Sequence, residues 1–218
     1  MPPTTLEFLS EQVELSEQLN MGRDVMLEPQ DLPGRYGRVV RAIDHILEVT
    51  RIEAALGGGW AVWRHGYAAR LTQDIDIALP ADRIEEFQRA ASVSGFELLA
   101  QKPGRWPKMR HKQTGVQVDI LPEGARPGTA LKLAPTTIPH PARMGAEQGR
   151  LRYMTLSATV LLKIAAGRER DQGDVVELIR SNTNQLEAIR NDLGAAHPQY
   201  VEIFDRLVKS AEAQADRE

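Results

Sequence analysis

Three aspartates and one run of glycines are the residues whose types and spacing could do chemistry. Asp74 and Asp76 lie in Asp74-Ile75-Asp76-Ile77, which alternates polar and apolar like a half-buried strand. Side chains two apart on a strand share a face, with Cα atoms roughly 6–7 Å apart. Upstream, Gly57, Gly58 and Gly59 permit a sharp turn that leaves its N–H groups uncovered. The apolar run Trp60-Ala61-Val62-Trp63 follows, so those groups stand where a short helix begins and anions are favoured. Downstream, Val116, Val118 and Ile120 share one face of a second alternating stretch, and Gln117, Asp119 and Leu121 share the other. If the two strands are neighbours, three carboxylates converge on one side of a sheet. Divalent cations carrying a nucleoside triphosphate need that arrangement. Alone, a glycine turn or a D-x-D is usually structural. Together they are more specific, because each supplies what the other's chemistry lacks.

The elements that must position these residues follow from periodicity. Residues 4–20 read as an acidic helix with Leu6, Leu9 and Val13 on one side. Asn20 to Arg35 is a connection. Tyr36, Val40, Ile43 and Leu47 recur at helical spacing up to about Glu53, and residues 53–57 form a short strand that ends in the glycines. After the aspartate strand, Pro80-Ala81-Asp82 starts a helix with Asp82 as N-cap, carrying Ile84, Phe87 and Ala91 inward and ending near Gly95. Phe96 to Ala100 is a strand. Lys108 to Gln113 and Val116 to Leu121 form a hairpin about a Thr114-Gly115 turn. Residues 122–150, rich in proline and glycine, read as a long loop. Leu151 to Leu156 is a strand, and Ser157 caps a helix that ends at Gly167. Helices follow from Asp171 to Arg180 and, in two pieces, over about 184–216, the last with a stripe of Val201, Phe204, Val208 and Ala211.

The expected organisation is an N-terminal helix and connection over 1–35 and an α/β core over 36–121. A proline- and glycine-rich loop and strand over 122–155 and a helical region over 156–218 complete it. With 218 residues and 42% hydrophobic content, the chain can bury a real core. A net charge of −3 offers no global basic field for nucleic acid. The absence of cysteine excludes disulfides and cysteine-bound zinc. No apolar run approaches the roughly 18–20 residues of a membrane span, and the acidic N-terminus lacks the features of a signal peptide. A soluble, cytoplasmic protein is expected.

The pattern GG-W-A-x(4)-G…R-x-T-x-D-I-D-I, followed some forty residues later by V-D-I-L, resembles nucleotidyltransferases of the DNA polymerase β superfamily. It is most similar to the AbiEii-like branch, which includes bacterial toxins of toxin–antitoxin pairs. The segment YMTLSATVLLKIAAGRERDQGDVVELI resembles that branch's helical motif, a lysine followed by R-x-R-D-x-x-D-V. The likeness spans about residues 54–181. It implies a nucleotidyltransferase-type mixed α/β (α+β) sheet flanked by helices, followed by a C-terminal helical region. It also implies that Gly58 and Gly59 cradle a nucleoside triphosphate and that Asp74, Asp76 and Asp119 hold magnesium, two ions with manganese as substitute. Arg70 and Thr72 would support the phosphate loop, and Lys163 and Asp171 would face the nucleotide across a cleft. Two departures are visible. Just after the first glycine, where the family often has serine, this chain has Gly59 followed by Trp60, so a hydroxyl contact to phosphate is missing. The interval to Asp74 is about one residue long, which leaves 57–58 as an alternative glycine register.

The chemistry implied is attack of an acceptor hydroxyl on the α-phosphorus of the triphosphate, with loss of pyrophosphate. Asp119 is the candidate for drawing the nucleophile's proton or for holding the metal that activates it. Lys163 or Arg70 would offset charge on the leaving group. RNA (tRNA included), a protein side chain and a small molecule are all open as acceptors, and a toxin would have an antitoxin partner. A non-catalytic nucleotide-binding protein that retains the fold is the alternative. An aspartyl phosphatase wants a hydroxyl residue two after the second aspartate, where this chain has Ala78. Arg105, Lys108, Arg110, His111 and Lys112 around Trp106 could grip RNA, but charge also protects a hairpin edge, the reading preferred here. Asp171 and Asp174 share a helix face and can equally pair with Arg168 or Arg170. His65 and His140 lack metal-ligand spacing.

Overall fold

In the computed structural model, described residues are 5–21, 28–67, 70, 72–100, 105–129 and 132–215. Residues 22–27 of the expected connection over 20–35 and residues 216–218 of the C-terminal tail lie outside them. Helix α1 (Thr5–Met21) precedes α2 (Gly34–Thr50), and β1 (Glu53–Leu56) leads into the seven-residue α3 (Gly58–Arg64). Strand β2 (Asp74–Leu79), α4 (Ile84–Val93), β3 (Phe96–Leu98), β4 (Lys108–His111) and β5 (Gln117–Pro122) follow. Two short strands, β6 (Gly128–Thr129) and β7 (Lys132–Leu133), pair with each other. Then come β8 (Glu147–Gln148), β9 (Leu151–Tyr153) and helices α5 (Leu156–Ala166), α6 (Glu169–Ser181), α7 (Leu186–Ala196) and α8 (Pro198–Ala215).

The main sheet is mixed, in the order β3-β4-β5-β2-β1-β8, with β9 also on β1. Strands β2 and β5 are parallel neighbours, and β1 is antiparallel to β2. One face carries Ile75, Ile77, Val118 and Ile120 into a core with Val40, Ile43 and Leu47 of α2 and Phe87 and Ala91 of α4. The alternation that made these strands legible also settles which face stays polar. On that other face, Ala55 and Ala78 pack under Ile138, Met144 and Met154. The helices α5–α8 share a third core built on Val160, Ile164, Val175, Ile179 and Phe204, into which Val62 of α3 also projects.

Five expectations are corrected. The segment 122–150 is not a plain loop: it holds β6, β7, a 3-10 turn at Pro141–Met144 and β8. The cap of α5 is Thr155, whose hydroxyl accepts from the N–H of Ala158 at 3.3 Å, so the helix starts before Ser157. Helix α4 begins after a 3-10 turn over Ala81–Arg83, with Asp82 inside that turn. The hairpin turn is longer than two residues. His111 N–H donates to Val116 at 2.9 Å and Gly115 N–H to His111 at 2.8 Å, which leaves Lys112 and Gln113 in the loop. On α1, Gln12 and Leu15 face inward, while Leu6, Leu9 and Val13 are 79%, 47% and 59% exposed. Among the described residues, no helix is long and apolar enough to cross a membrane.

Candidate active site

The register of β2 and β5 sets the polar face. Asp76 pairs with Asp119, and Asp74 with Gln117. Partners in a ladder share a face, so these four side chains project together, away from α2 and α4. The glycine turn sits directly against them. Gly57 N–H donates to the Asp76 carbonyl at 2.8 Å. A Cβ on Gly58 (φ +58°) would lie 1.8 Å from Oδ2 of Asp76, and one on Gly59 would lie 2.7 Å from Thr72 Oγ1. Gly58 and Gly59 are therefore the pair that abuts the aspartate strand and Thr72, whereas Gly57 faces Met154. Trp60 Nε1 donates to the Asp74 carbonyl at 3.0 Å, and Thr72 Oγ1 to Asp74 Oδ1 at 3.3 Å. Trp60 thus anchors the strand that carries the aspartates.

Burial, reinforced by the negative charges of Asp74 and Asp119, pushes the Asp76 carboxyl up to about 7; Lys163 and Arg168 offset only part of this. Such a group of mutually repelling carboxylates suits a divalent cation, whose hard charge takes oxygen ligands. Among the described residues, however, no group of three or more His, Asp or Glu side chains is already arranged to hold a metal ion. Asp119 is otherwise engaged. Lys108 Nζ donates to its Oδ2, and Gln117 Nε2 to its Oδ1 at 2.7 Å.

The facing wall comes from α5 and α6. Lys163 Nζ bonds Asp171 Oδ1 at 3.0 Å and Asp174 Oδ2 at 2.7 Å. Arg70 Nε meets Asp174 Oδ1 at 2.7 Å, and Arg168 Nε meets Asp171 Oδ2 at 2.6 Å. Burial opposes the charge of Asp171, but Lys163 and Arg168 outweigh it and hold the carboxyl below its ordinary value. Lys163, Asp171 and Asp174 are buried and Arg70 is half-buried, while the Arg168 side chain is 68% exposed. Asp174, Arg168, Lys108 and Gln117 were not singled out as site residues from sequence. For Asp174 and Arg168 the signal lay in the motif around Asp171.

A cleft of about 480 Å³ opens beside this network, lined by Tyr67, Arg70, Arg170, Asp174 and Glu177 among others. A second hollow, of about 500 Å³, is lined by Glu123, Thr137, His140 and Arg143 and lies beyond the Leu79 end of β2, remote from the aspartates. The basic cluster of the hairpin is dispersed. Lys108 pairs with Asp119 and Arg110 with Glu97, while His111 is buried against Phe96 with its Nδ1 on Thr114. His65 Nε2 donates to the Met154 carbonyl at 2.7 Å, and His140 Nδ1 accepts from Ala142 N–H at 3.2 Å.

Residues 39–134 match the model of a family described as aminoglycoside-2''-adenylyltransferase. The match takes in all three aspartates and the glycine turn, stops short of α5, and supports nucleotidyltransferase activity. No curated protein sequence matches the chain. Distant likeness to solved structures is also found, and two of them illustrate it. One is ANT(2")-Ia in complex with adenylyl-2"-tobramycin, at 17% identity and a TM-score of 0.43, covering 82% of this chain and 97% of that one. The other is an antigenic nucleotidyltransferase-like protein from Paracoccidioides brasiliensis, at 18% identity and a TM-score of 0.44, covering 79% and 91%. Likenesses this distant carry no functional weight by themselves.

Proposed function

We propose that this chain transfers a nucleoside monophosphate from a nucleoside triphosphate to a hydroxyl on a small acceptor, releasing pyrophosphate. The observation that carries this reading is the pairing of Asp76 with Asp119, next to Asp74 and under the Gly58–Gly59 turn. Asp74, Asp76 and Asp119 would hold the divalent cation, magnesium or manganese. When bound, it offsets the charge of the phosphates and of the departing pyrophosphate. The bare backbone at Gly58 and Gly59 lets phosphate oxygens approach closely. Trp60 and Thr72 keep Asp74 in place, and Lys163 and Arg168 bring positive charge toward Asp76. As the acceptor oxygen attacks the α-phosphorus, its proton passes to Asp119. The bond from that phosphorus to the bridging oxygen breaks, and pyrophosphate leaves with the electron pair.

For the acceptor, the cleft beside Arg70 and Asp174 has the size of a small-ligand site. The description of the matching family makes ATP and an amino-sugar hydroxyl the first pair to test. A second reading keeps an RNA 3′ end as acceptor, in a toxin of the AbiEii-like branch with an antitoxin partner. It draws on Lys163, Asp171 and Asp174, which the family match does not cover. We place either activity in the cytoplasm, where nucleoside triphosphates are available.

The test is incubation of the protein, and of an Asp74→Ala/Asp76→Ala variant, with each α-labelled nucleoside triphosphate and magnesium. One set receives a panel of aminoglycosides and other polyhydroxyl compounds, the other total cellular RNA. Label on a small molecule with the intact protein only is the expected result. Label on RNA establishes the second reading. No pyrophosphate release with any acceptor overturns both.

A further inference from the structure

Across three neighbouring strands, Asp76 of β2, Asp119 of β5 and Lys108 of β4 form one row: Asp76 pairs with Asp119, and Asp119 with Lys108. The side chains share the polar face, and the ammonium closes on Oδ2 of Asp119 while Gln117 takes Oδ1. Both oxygens of the third carboxylate are therefore occupied by donors of the chain itself. Among the described residues, Asp74 and Asp76 have no such ammonium: Asp74 receives the Thr72 hydroxyl, and Lys163 acts on Asp76 through space while bonded to Asp171 and Asp174.

We propose that Lys108 is the resident counter-ion of Asp119. Its ammonium holds this carboxylate in the metal-free protein and must be displaced before Asp119 can ligate a divalent cation. The role rests on the reading of Asp74, Asp76 and Asp119 as metal ligands. Three features support it. The Lys108 side chain is 41% exposed, so water is at hand to receive the ammonium when it swings away. An ion pair this open to solvent is weak, and a doubly charged cation outcompetes it. Without that positive charge, three carboxylates would face one another across two adjacent strands, relieved among the described residues only in part by Lys163 and Arg168. Lys108 thereby sets the concentration of free cation at which the site fills, and couples filling to release of one surface lysine.

The test uses Mn²⁺ alone, titrated into nucleotide-free protein and followed by the electron paramagnetic resonance signal of the free ion. Lys108→Met should bind Mn²⁺ roughly 1.5- to fivefold more tightly than the wild type, the range expected for removing one partly exposed competing ion pair. Lys108→Arg, which keeps the charge, should bind like the wild type. Thermal unfolding of each variant shows that it is folded. Lys108→Met binding no more tightly than the wild type, while Asp76→Ala abolishes binding, overturns the role of Lys108 and leaves the metal site standing. Absence of Mn²⁺ binding to all forms, with or without a triphosphate, overturns the metal reading itself.

Discussion

Position 58 has no room for a side chain because Asp76 occupies it. A Cβ there would fall 1.8 Å from Oδ2 and 2.9 Å from Cβ of Asp76, so the aspartate cannot yield by swinging its tip alone. The φ of +58° adds a backbone cost of about 1–2 kcal/mol for any L side chain. Gly58→Ala should lower thermal stability and weaken binding of a metal-bound triphosphate at least tenfold. Gly115→Ala is the control: its φ is +71° but nothing lies within 4 Å. It should pay only the backbone cost and keep full binding.

Asp76 is held where its charge is unwelcome. Burial and the carboxylates of Asp74 and Asp119 both oppose its ionisation. Asp76→Asn should therefore abolish nucleotidyl transfer yet raise the unfolding midpoint of the metal-free protein at pH 8, where the wild-type carboxyl is ionised. A gain of about 1 kcal/mol corresponds to roughly 2–4 °C in a domain of this size. An unchanged or lower midpoint contradicts the electrostatic account.

Lys163 neutralises two buried carboxylates at once, Asp171 and Asp174. Replacing it with methionine keeps the volume and leaves each carboxylate with one arginine partner, Arg168 or Arg70. Loss of one member of a buried ionic group costs about 3–5 kcal/mol. Lys163→Met should accordingly unfold at least about 6 °C lower in calorimetry. A midpoint within 1 °C of wild type would remove Lys163 from the structural role.

His65 contributes acid sensitivity. Burial lowers its pKa and a neighbouring Arg64 charge adds to this, while the bond to the Met154 carbonyl works the other way without winning. The folded protein thus takes up a proton at His65 less readily than the unfolded chain. The associated stability is fully present above the ordinary value of 6.5 and is lost as pH falls from there through the lowered folded value. Urea unfolding from pH 7.5 to 5 should show wild type losing stability more steeply than His65→Asn. Parallel slopes would exclude His65 as the source.

The legible parts of this fold were those with repeated spacing. Tyr36, Val40, Ile43 and Leu47 announced α2, and the alternation around Ile75 and Val118 placed the aspartates on a common face. The partner of Asp119 was not legible, and the reason is loop length. A two-residue turn at Thr114-Gly115 would have put Arg110 opposite Asp119. The longer loop, with His111 turned in against Phe96 and bonded to Thr114, slides the register and puts Lys108 there. Elements of two residues, such as β6, β7 and β8, are too short to leave a period. Thr155 and Ser157 offer the same hydroxyl to a helix start, and only the backbone chooses between them. The Lys163, Asp171 and Asp174 network was visible as a motif, but its closure by Arg70 depends on tertiary placement.

Helix α3, which begins with Gly58 and Gly59, is fastened at its other end by residues from much later in the chain. His65 bonds the Met154 carbonyl, its own carbonyl accepts from Asn182 Nδ2 at 2.7 Å, Gly66 leaves room only for Ser181, and Val62 is buried among α5–α8. The family-matching core is consequently not a portable module. A fragment cut before α5 would retain Asp74, Asp76 and Asp119 and lose the buttress that aims the glycine turn at them. A chimaera with another chain's C-terminal helices would change what fastens the far end of α3, and with it the aim of the glycine turn at its start.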